Sequence, residues 1–77
     1  MSRMKTKECA KIFRTVRDNV KALRMAKGWS IQVLSEISGI NIKTLADIEN
    51  GQGFDVRYLI LLCSIYCVEL RNIFYPL

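Results

Sequence analysis

The side chains that most often carry out chemistry in proteins are scarce in this sequence. It contains no histidine, the commonest general base and metal ligand, and its three cysteines stand at positions 9, 63 and 67. Because this number is odd and no Cys-x-x-Cys pair occurs, the cysteines predict neither a zinc site nor a set of disulfides. We therefore expect a protein that is not an enzyme, with no catalytic residue, no metal and no cofactor.

The cysteines also bear on location. Free thiols are typical of a reducing compartment, so we expect a cytoplasmic protein. Cys63 and Cys67 lie one helical turn apart in an apolar stretch, which favours buried small side chains; a redox switch or a three-thiolate metal site is the alternative. The longest uncharged run, residues 58–68, has 11 residues, whereas a membrane-spanning helix needs about 20. The sequence predicts no membrane span and shows no evident small-molecule site.

The basic side chains are concentrated at one end of the chain. Of the 77 residues, the first 28 hold nine Lys or Arg against two acidic residues, whereas the remainder carries a small net negative charge. This asymmetry favours a polyanionic partner, with a merely solvated helix face as the alternative.

Hydrophobic periodicity predicts helices throughout the sequence. We expect five, over residues 8–27, 30–38, 41–50, 55–66 and 69–74, with Ser30, Asn41 and Asp55 as N-caps and Gly28 and Gly39 as stops. The residues expected to face the core are Ile12, Phe13, Val16, Val20, Leu23, Val33, Leu34, Ile37, Leu45, Ile48, Val56, Leu59, Leu62, Cys63 and Tyr66. The prediction is a single all-α domain over 1–77, with 1–7 as a flexible basic N-terminus.

Two short helices joined by Gly39-Ile40-Asn41 have the layout of a helix-turn-helix at about residues 30–50. This stretch resembles the phage-repressor and Cro-like helix-turn-helix family. The similarity lies in Leu23-Arg24 before Lys27-Gly28, in Gly39-Ile40 at the turn and in Ile48-Glu49-Asn50-Gly51. It implies a five-helix lambda-repressor-like fold and a transcriptional regulator, typically a repressor, that binds operator DNA as a dimer. It also implies a structural ion pair between Arg24 and Glu49.

The third helix is the expected reader of double-stranded DNA. With Leu45 and Ile48 directed to the core, the candidates for base contact are Asn41, Ile42, Lys43, Thr44, Ala46 and Asp47. Apolar side chains there suit thymine methyls, a lysine suits guanine O6 and N7, and a carboxylate suits the cytosine amino group.

Phosphate contacts are expected from a second group of side chains: Ser30, Gln32, Asn50, Arg14, Arg17 and Lys21. The sequence departs from the family at two places. Ile31 stands where the family usually has a glutamine that helps to bind phosphate, and residues 52–54 carry no Lys or Arg.

The fourth helix is apolar on nearly every side, which indicates an interface. Candidates for a two-fold interface between two copies are Tyr58, Ile60, Leu61, Ile65, Phe74 and Tyr75. The alternative is that the C-terminal tail and the first helix cover this face within one chain.

Two functions follow from these features. We expect a sequence-specific regulator that binds a palindromic operator as a homodimer. The alternative is a protein-interaction module on the same fold, of the antitoxin or anti-repressor type; a membrane-surface role for the basic first helix is a third, weaker hypothesis.

Overall fold

The computed structural model describes residues 6–75 and contains helices but no strand within that range. The helices are α1 (Thr6–Ala26), α2 (Ile31–Ser38), α3 (Ile42–Glu49), α4 (Val56–Tyr66) and α5 (Leu70–Ile73). The predicted all-α fold with five helices is confirmed. Residues 6 and 7, which the sequence analysis assigned to a flexible N-terminus, belong to α1; residues 1–5 lie outside the described part of the chain.

The helices surround one small core. The long α1 packs on α3 and α5, while α2 contacts α3 and α4, and α5 also contacts α4. The buried apolar side chains are Val16, Val20, Leu34, Ile40, Leu45, Ile48, Leu59, Leu62, Cys63, Tyr66 and Ile73. None of the described helices is long and apolar enough to cross a membrane.

Side-chain caps fix where α2, α3 and α4 begin. The hydroxyl of Ser30 accepts a hydrogen bond from the amide of Val33 at 3.1 Å, and Asn41 Oδ1 accepts one from the amide of Lys43 at 2.8 Å. Asp55 caps α4 through the amide of Arg57 and also pairs with the Arg57 guanidinium, which together lower the pKa of this carboxyl to about 2. All three predicted N-caps are present. They satisfy amides that a helix start otherwise leaves unpaired.

More residues of α2 and α4 were predicted to be buried than the structure buries. Val33, Ile37 and Val56 are exposed, although periodicity placed them in apolar stripes. The eight-residue α2 directs Leu34 inward, and the half-buried Ile31 and buried Ile40 fill the space beside it from the two ends of the helix. A short helix on a small core buries a narrow strip, so its flanking apolar residues remain in solvent.

The two cysteines at the end of α4 were both predicted to be buried, and one of them is not. Cys63 is buried, and burial raises the pKa of its thiol, whereas Cys67 is exposed. Cys67 ends α4 in the left-handed conformation with φ 58°, and the amide of Val68 donates to the carbonyl of Cys63 at 3.0 Å. This is a Schellman ending, for which glycine is the usual residue, so a cysteine at this position did not predict it.

A buried asparagine attaches the C-terminal segment to α1. Asn19 Nδ2 donates to the carbonyl oxygens of Ile73 at 2.7 Å and Tyr75 at 2.6 Å. The Ile73 carbonyl ends α5, where a helix has no internal partner for it, and the Tyr75 carbonyl lies two residues beyond the helix. Asn19 thus joins two elements that are 54 residues apart in the chain.

We predict that Asn19→Ala lowers the free energy of unfolding by about 1–3 kcal/mol, because buried carbonyls lose their donor. Urea denaturation followed by circular dichroism measures this loss. Asn72→Ala is the matched control, since Asn72 is exposed on α5. Equal stabilities of the two variants would contradict a structural role for Asn19.

Candidate nucleic-acid interface

The turn between α2 and α3 is held by its own hydrogen bonds. The hydroxyl of Ser35 donates to the carbonyl of Ile40 at 2.6 Å, and the amide of Ile40 donates to the hydroxyl of Ser38 at 3.1 Å. Gly39 supplies the left-handed conformation with φ 75°, and the Ile40 side chain is buried. These contacts fix the angle at which α3 leaves α2.

The inner side of α3 is anchored by apolar packing. Leu45 and Ile48 are buried, and α3 contacts both α1 and α2. With these two side chains inside, the opposite side of the helix remains at the molecular surface.

An arginine clamp holds the end of α3 against α1. Arg24 Nε donates to Glu49 Oε2 at 2.8 Å and Arg24 Nη2 donates to Glu49 Oε1 at 2.9 Å, while Nη1 donates to the carbonyl of Trp29 at 2.7 Å. The two side chains are 15% and 7% exposed. The hydrogen bonds that Arg24 donates to Glu49 raise the pKa of Arg24. One side chain thereby fastens α1, the α1–α2 loop and α3 together, in a bidentate geometry that lysine cannot form.

Two aromatic rings lie next to the clamp. Trp29 stacks on Tyr66 with ring centroids 5.9 Å apart, and Lys27 Nζ lies 5.9 Å from the centroid of the Trp29 ring. Burial, aided by the negative charge of Glu49, raises the pKa of Tyr66 to about 12. Its hydroxyl is buried without a hydrogen-bond partner in the described part of the chain. The sequence analysis did not identify the role of Trp29, because its contribution to the clamp is a backbone carbonyl.

The six predicted base readers lie along the outer side of α3 and at its start. Asn41, Ile42 and Lys43 are exposed, whereas Thr44, Ala46 and Asp47 are half-buried. Lys43 Nζ lies 3.5 Å from Asp47 Oδ2, so these two charges form an ion pair on the helix surface. The surface therefore offers apolar contact, amide and hydroxyl groups, and one paired cation.

A shallow groove of about 230 Å³ borders this surface, between α3 and the start of α4. Asp47 and Asp55 line it together with Thr44, Gln52 and Tyr58. The amide of Gln52 donates to the carbonyl of Asp47 at 2.9 Å, which keeps the loop close to the helix. The groove lining contains carboxylates and no Lys or Arg, in agreement with the uncharged loop in the sequence.

Arg17 of α1 brings positive charge to the loop beside this groove. A Cβ on Gly51 would lie 3.6 Å from Arg17 Cδ, so the Arg17 side chain passes directly over the loop that follows α3. The adjacent packing of Phe13 on Phe54, with ring centroids 5.4 Å apart, holds this loop against α1. Arg17 pairs with Asp18 at 2.8 Å, which lowers the pKa of that carboxyl.

The other residues expected to contact phosphate lie on α1, at the start of α2 and at the end of α3. Arg14 and Lys21 are exposed on α1, on the rows adjacent to Arg17. Gln32 and Asn50 are exposed at the start of α2 and the end of α3, and Ser30 uses its hydroxyl as the α2 cap.

The six interface candidates divide into two groups. Ile60, Leu61 and Tyr75 are 52%, 39% and 66% exposed. Tyr58, Ile65 and Phe74 are half-buried and pack against the core, and Phe74 lies 5.9 Å from Phe54 between ring centroids. Part of the tail therefore does cover the core within one chain, while the middle of α4 stays open.

Removal of one partner of the Arg24–Glu49 ion pair leaves the other charge buried without a partner. We predict that Arg24→Met lowers the free energy of unfolding by about 3–5 kcal/mol, because the buried Glu49 carboxylate loses its partner. The double variant Arg24→Met/Glu49→Leu is expected to regain part of that loss. Urea denaturation of the two single variants and of the double variant measures the coupling free energy between Arg24 and Glu49. Strictly additive losses of stability would contradict a direct pair.

Comparison with known proteins agrees with this geometry. A family model described as helix-turn-helix matches residues 20–71, which run from α1 into α5 and make up more than half of the chain. Searches of the curated proteins and of the solved structures gave no significant match. Members of this family are DNA-binding regulators rather than enzymes. The chain therefore belongs to the helix-turn-helix family of DNA-binding regulators, of the Cro- and C1-like type.

Proposed function

We propose that this chain is a cytoplasmic, sequence-specific transcriptional regulator that binds a palindromic operator as a homodimer. Residues 41–50 enter the major groove, and one domain spans 1–77. The observation that carries the proposal is the presentation of α3. Its inner side is fixed by Leu45, Ile48 and the Arg24–Glu49 clamp, so its outer side forms a rigid surface. A helix held in this way can enter the major groove without losing internal order.

The arrangement of charge supports a nucleic-acid partner. The candidate base readers Asn41, Ile42, Lys43, Thr44 and Ala46 include a single cation, and Asp47 adds a carboxylate beside it, so phosphate attraction comes from elsewhere. Arg17 lies over the loop that follows α3, with Arg14 and Lys21 beside it on α1. We assign these three cations, together with Ser30, Gln32 and Asn50, to the phosphates that flank the groove.

Base reading and phosphate contact differ in how strongly the affinity depends on the DNA sequence. We predict that Lys43→Ala weakens binding to the preferred duplex by about 1–3 kcal/mol and relaxes preference at one position of each half-site. Arg17→Ala is expected to weaken binding to all duplexes alike and to reduce the salt slope by about one per protomer. Fluorescence anisotropy with preferred and scrambled duplexes over a salt series measures both effects.

Arg71→Ala is the matched control for this experiment, because Arg71 is an exposed arginine on α5 outside the proposed interface with DNA. It removes the same charge and should change duplex affinity much less than Arg17→Ala. Equal effects of Lys43→Ala and Arg17→Ala on preferred and scrambled duplexes would contradict α3 as the reader.

Dimerisation is assigned to the exposed middle of α4. Ile60 and Leu61 are large apolar side chains left in solvent, and Tyr75 is exposed on the C-terminal tail. We assign the half-buried Tyr58, Ile65 and Phe74, which pack against the core, to the border of this interface. A two-fold axis through this patch would pair identical surfaces and present two recognition helices to half-sites about 34 Å apart, one turn of DNA.

We predict that Ile60→Asp raises the dimer dissociation constant by about tenfold or more, because a charge enters an apolar contact. Sedimentation equilibrium measures the change. Ile37→Asp, at a comparably exposed position on α2, is the matched control and should leave the dimer intact. A wild-type chain that stays monomeric, or equal effects of the two variants, would contradict this interface.

The second candidate function is a protein-interaction module of the antitoxin or anti-repressor type. The carboxylates of Asp47 and Asp55 beside α3, and the exposed apolar pair Val33 and Ile37 on α2, favour it. The dependence of affinity on salt concentration distinguishes the two functions. A regulator that makes six to ten phosphate contacts loses about 10³- to 10⁵-fold in affinity between 50 and 200 mM salt, whereas a protein-interaction module has no such dependence.

A further inference from the structure

The outer side of α3 carries a cation and a carboxylate in contact. Lys43 Nζ lies 3.5 Å from Asp47 Oδ2, and the side chains are 84% and 48% exposed. Asp47 lies at the edge of the groove that it lines with Thr44 and Gln52, whereas Lys43 extends into solvent. The lysine has the longer and more exposed side chain, so it is the partner that can turn toward a base.

Two features weaken this ion pair, so that it can open. Lysine precedes aspartate by four residues, which is the less favourable order with respect to the helix dipole, and solvent reaches both groups. A guanine offers two acceptors, O6 and N7, to an ammonium group in the major groove. A phosphate of non-specific DNA offers only attraction between charges, and the adjacent carboxylate opposes that attraction.

We propose that Asp47 is a specificity-determining residue that acts through Lys43. On non-specific DNA it keeps Lys43 engaged and cancels the positive charge of the recognition helix. At the preferred site, a guanine takes Lys43 from the pair. Asp47 thus lowers affinity for random DNA more than affinity for the operator. This inference depends on the proposed function, because it requires α3 to lie in the major groove.

The surroundings of the pair support this role. Lys43 is the single basic residue within α3, so the pair cancels the whole positive charge of that helix. The cations on α1, near the loop after α3, still attract phosphate. General attraction and base reading are therefore carried by different helices, and Asp47 affects the second without removing the first.

The test is the isosteric variant Asp47→Asn, with Glu69→Gln as the control for net charge. Glu69 is an exposed carboxylate at the start of α5 and pairs with Arg71 at 3.0 Å. Affinities are measured by anisotropy, over a salt series, for the duplex that wild-type protein selects from a random pool and for a scrambled duplex of equal length. The same substitution is repeated in a chain that carries Lys43→Met.

Asp47→Asn is expected to raise affinity for the scrambled duplex by about two- to fivefold per protomer, and to change affinity for the selected duplex less than twofold. The salt slope on scrambled DNA should steepen by about 0.9 per protomer, because Lys43 gains a phosphate. Glu69→Gln should shift both duplexes equally and by less. With Lys43→Met present, the effect of Asp47→Asn should fall by at least half.

Three results would overturn the inference while leaving the proposed function intact. One is a loss of affinity confined to the selected duplex, which would make Asp47 a direct reader of a base. Another is an equal effect with and without Lys43→Met, and the third is an effect no larger than that of Glu69→Gln. A wild-type chain that binds no duplex would overturn the proposed function, and this inference with it.

Discussion

The placement of α3 depends on the hydrogen bonds of one guanidinium group. Arg24 bonds to both oxygens of Glu49 and to the carbonyl of Trp29, so α1, the α1–α2 loop and the end of α3 share one fixed point. Apolar packing by Leu45 and Ile48 holds α3 to the core but does not by itself fix its position along or around its axis. The clamp adds that directional constraint, since a bidentate pair tolerates little displacement.

The remaining features of the interface follow from that fixed point. With the end of α3 held, the loop at Gly51 passes beneath Arg17, and Phe54 packs on Phe13. Arg17 of α1 thereby lies next to the loop that follows α3, a helix whose single basic residue is Lys43. The same aromatic contacts continue to Phe74, so the C-terminal segment and the loop that follows α3 share one packing cluster.

Much of the fold could be predicted because its signals are local. The N-caps Ser30, Asn41 and Asp55 and the stop at Gly39 depend on near neighbours, and all four were identified from the sequence. Periodicity failed for Val33 and Ile37 because it identifies which residues share a face of a helix, but not how much of that face a small core covers. The left-handed Cys67 carries no signal, since its conformation is usual for glycine.

Long-range polar contacts were the hardest to predict. Asn19 interrupts the apolar stripe of α1 between Val16 and Leu23, which was a visible irregularity, but its partners are backbone carbonyls 54 and 56 residues away. The ion pair of Arg24 and Glu49 came from family resemblance rather than from residue spacing. The Lys43–Asp47 pair is local and has helical spacing, yet both residues were considered separately as base readers, and their mutual contact became evident in three dimensions.

The proposed role of α3 is to read DNA sequence. Selection of bound duplexes from a random pool by wild-type protein, at low and at near-physiological salt, tests this role. We expect enrichment of a palindrome whose half-sites lie about one helical turn apart, retained at the higher salt. Failure to enrich any sequence at either salt concentration would contradict it.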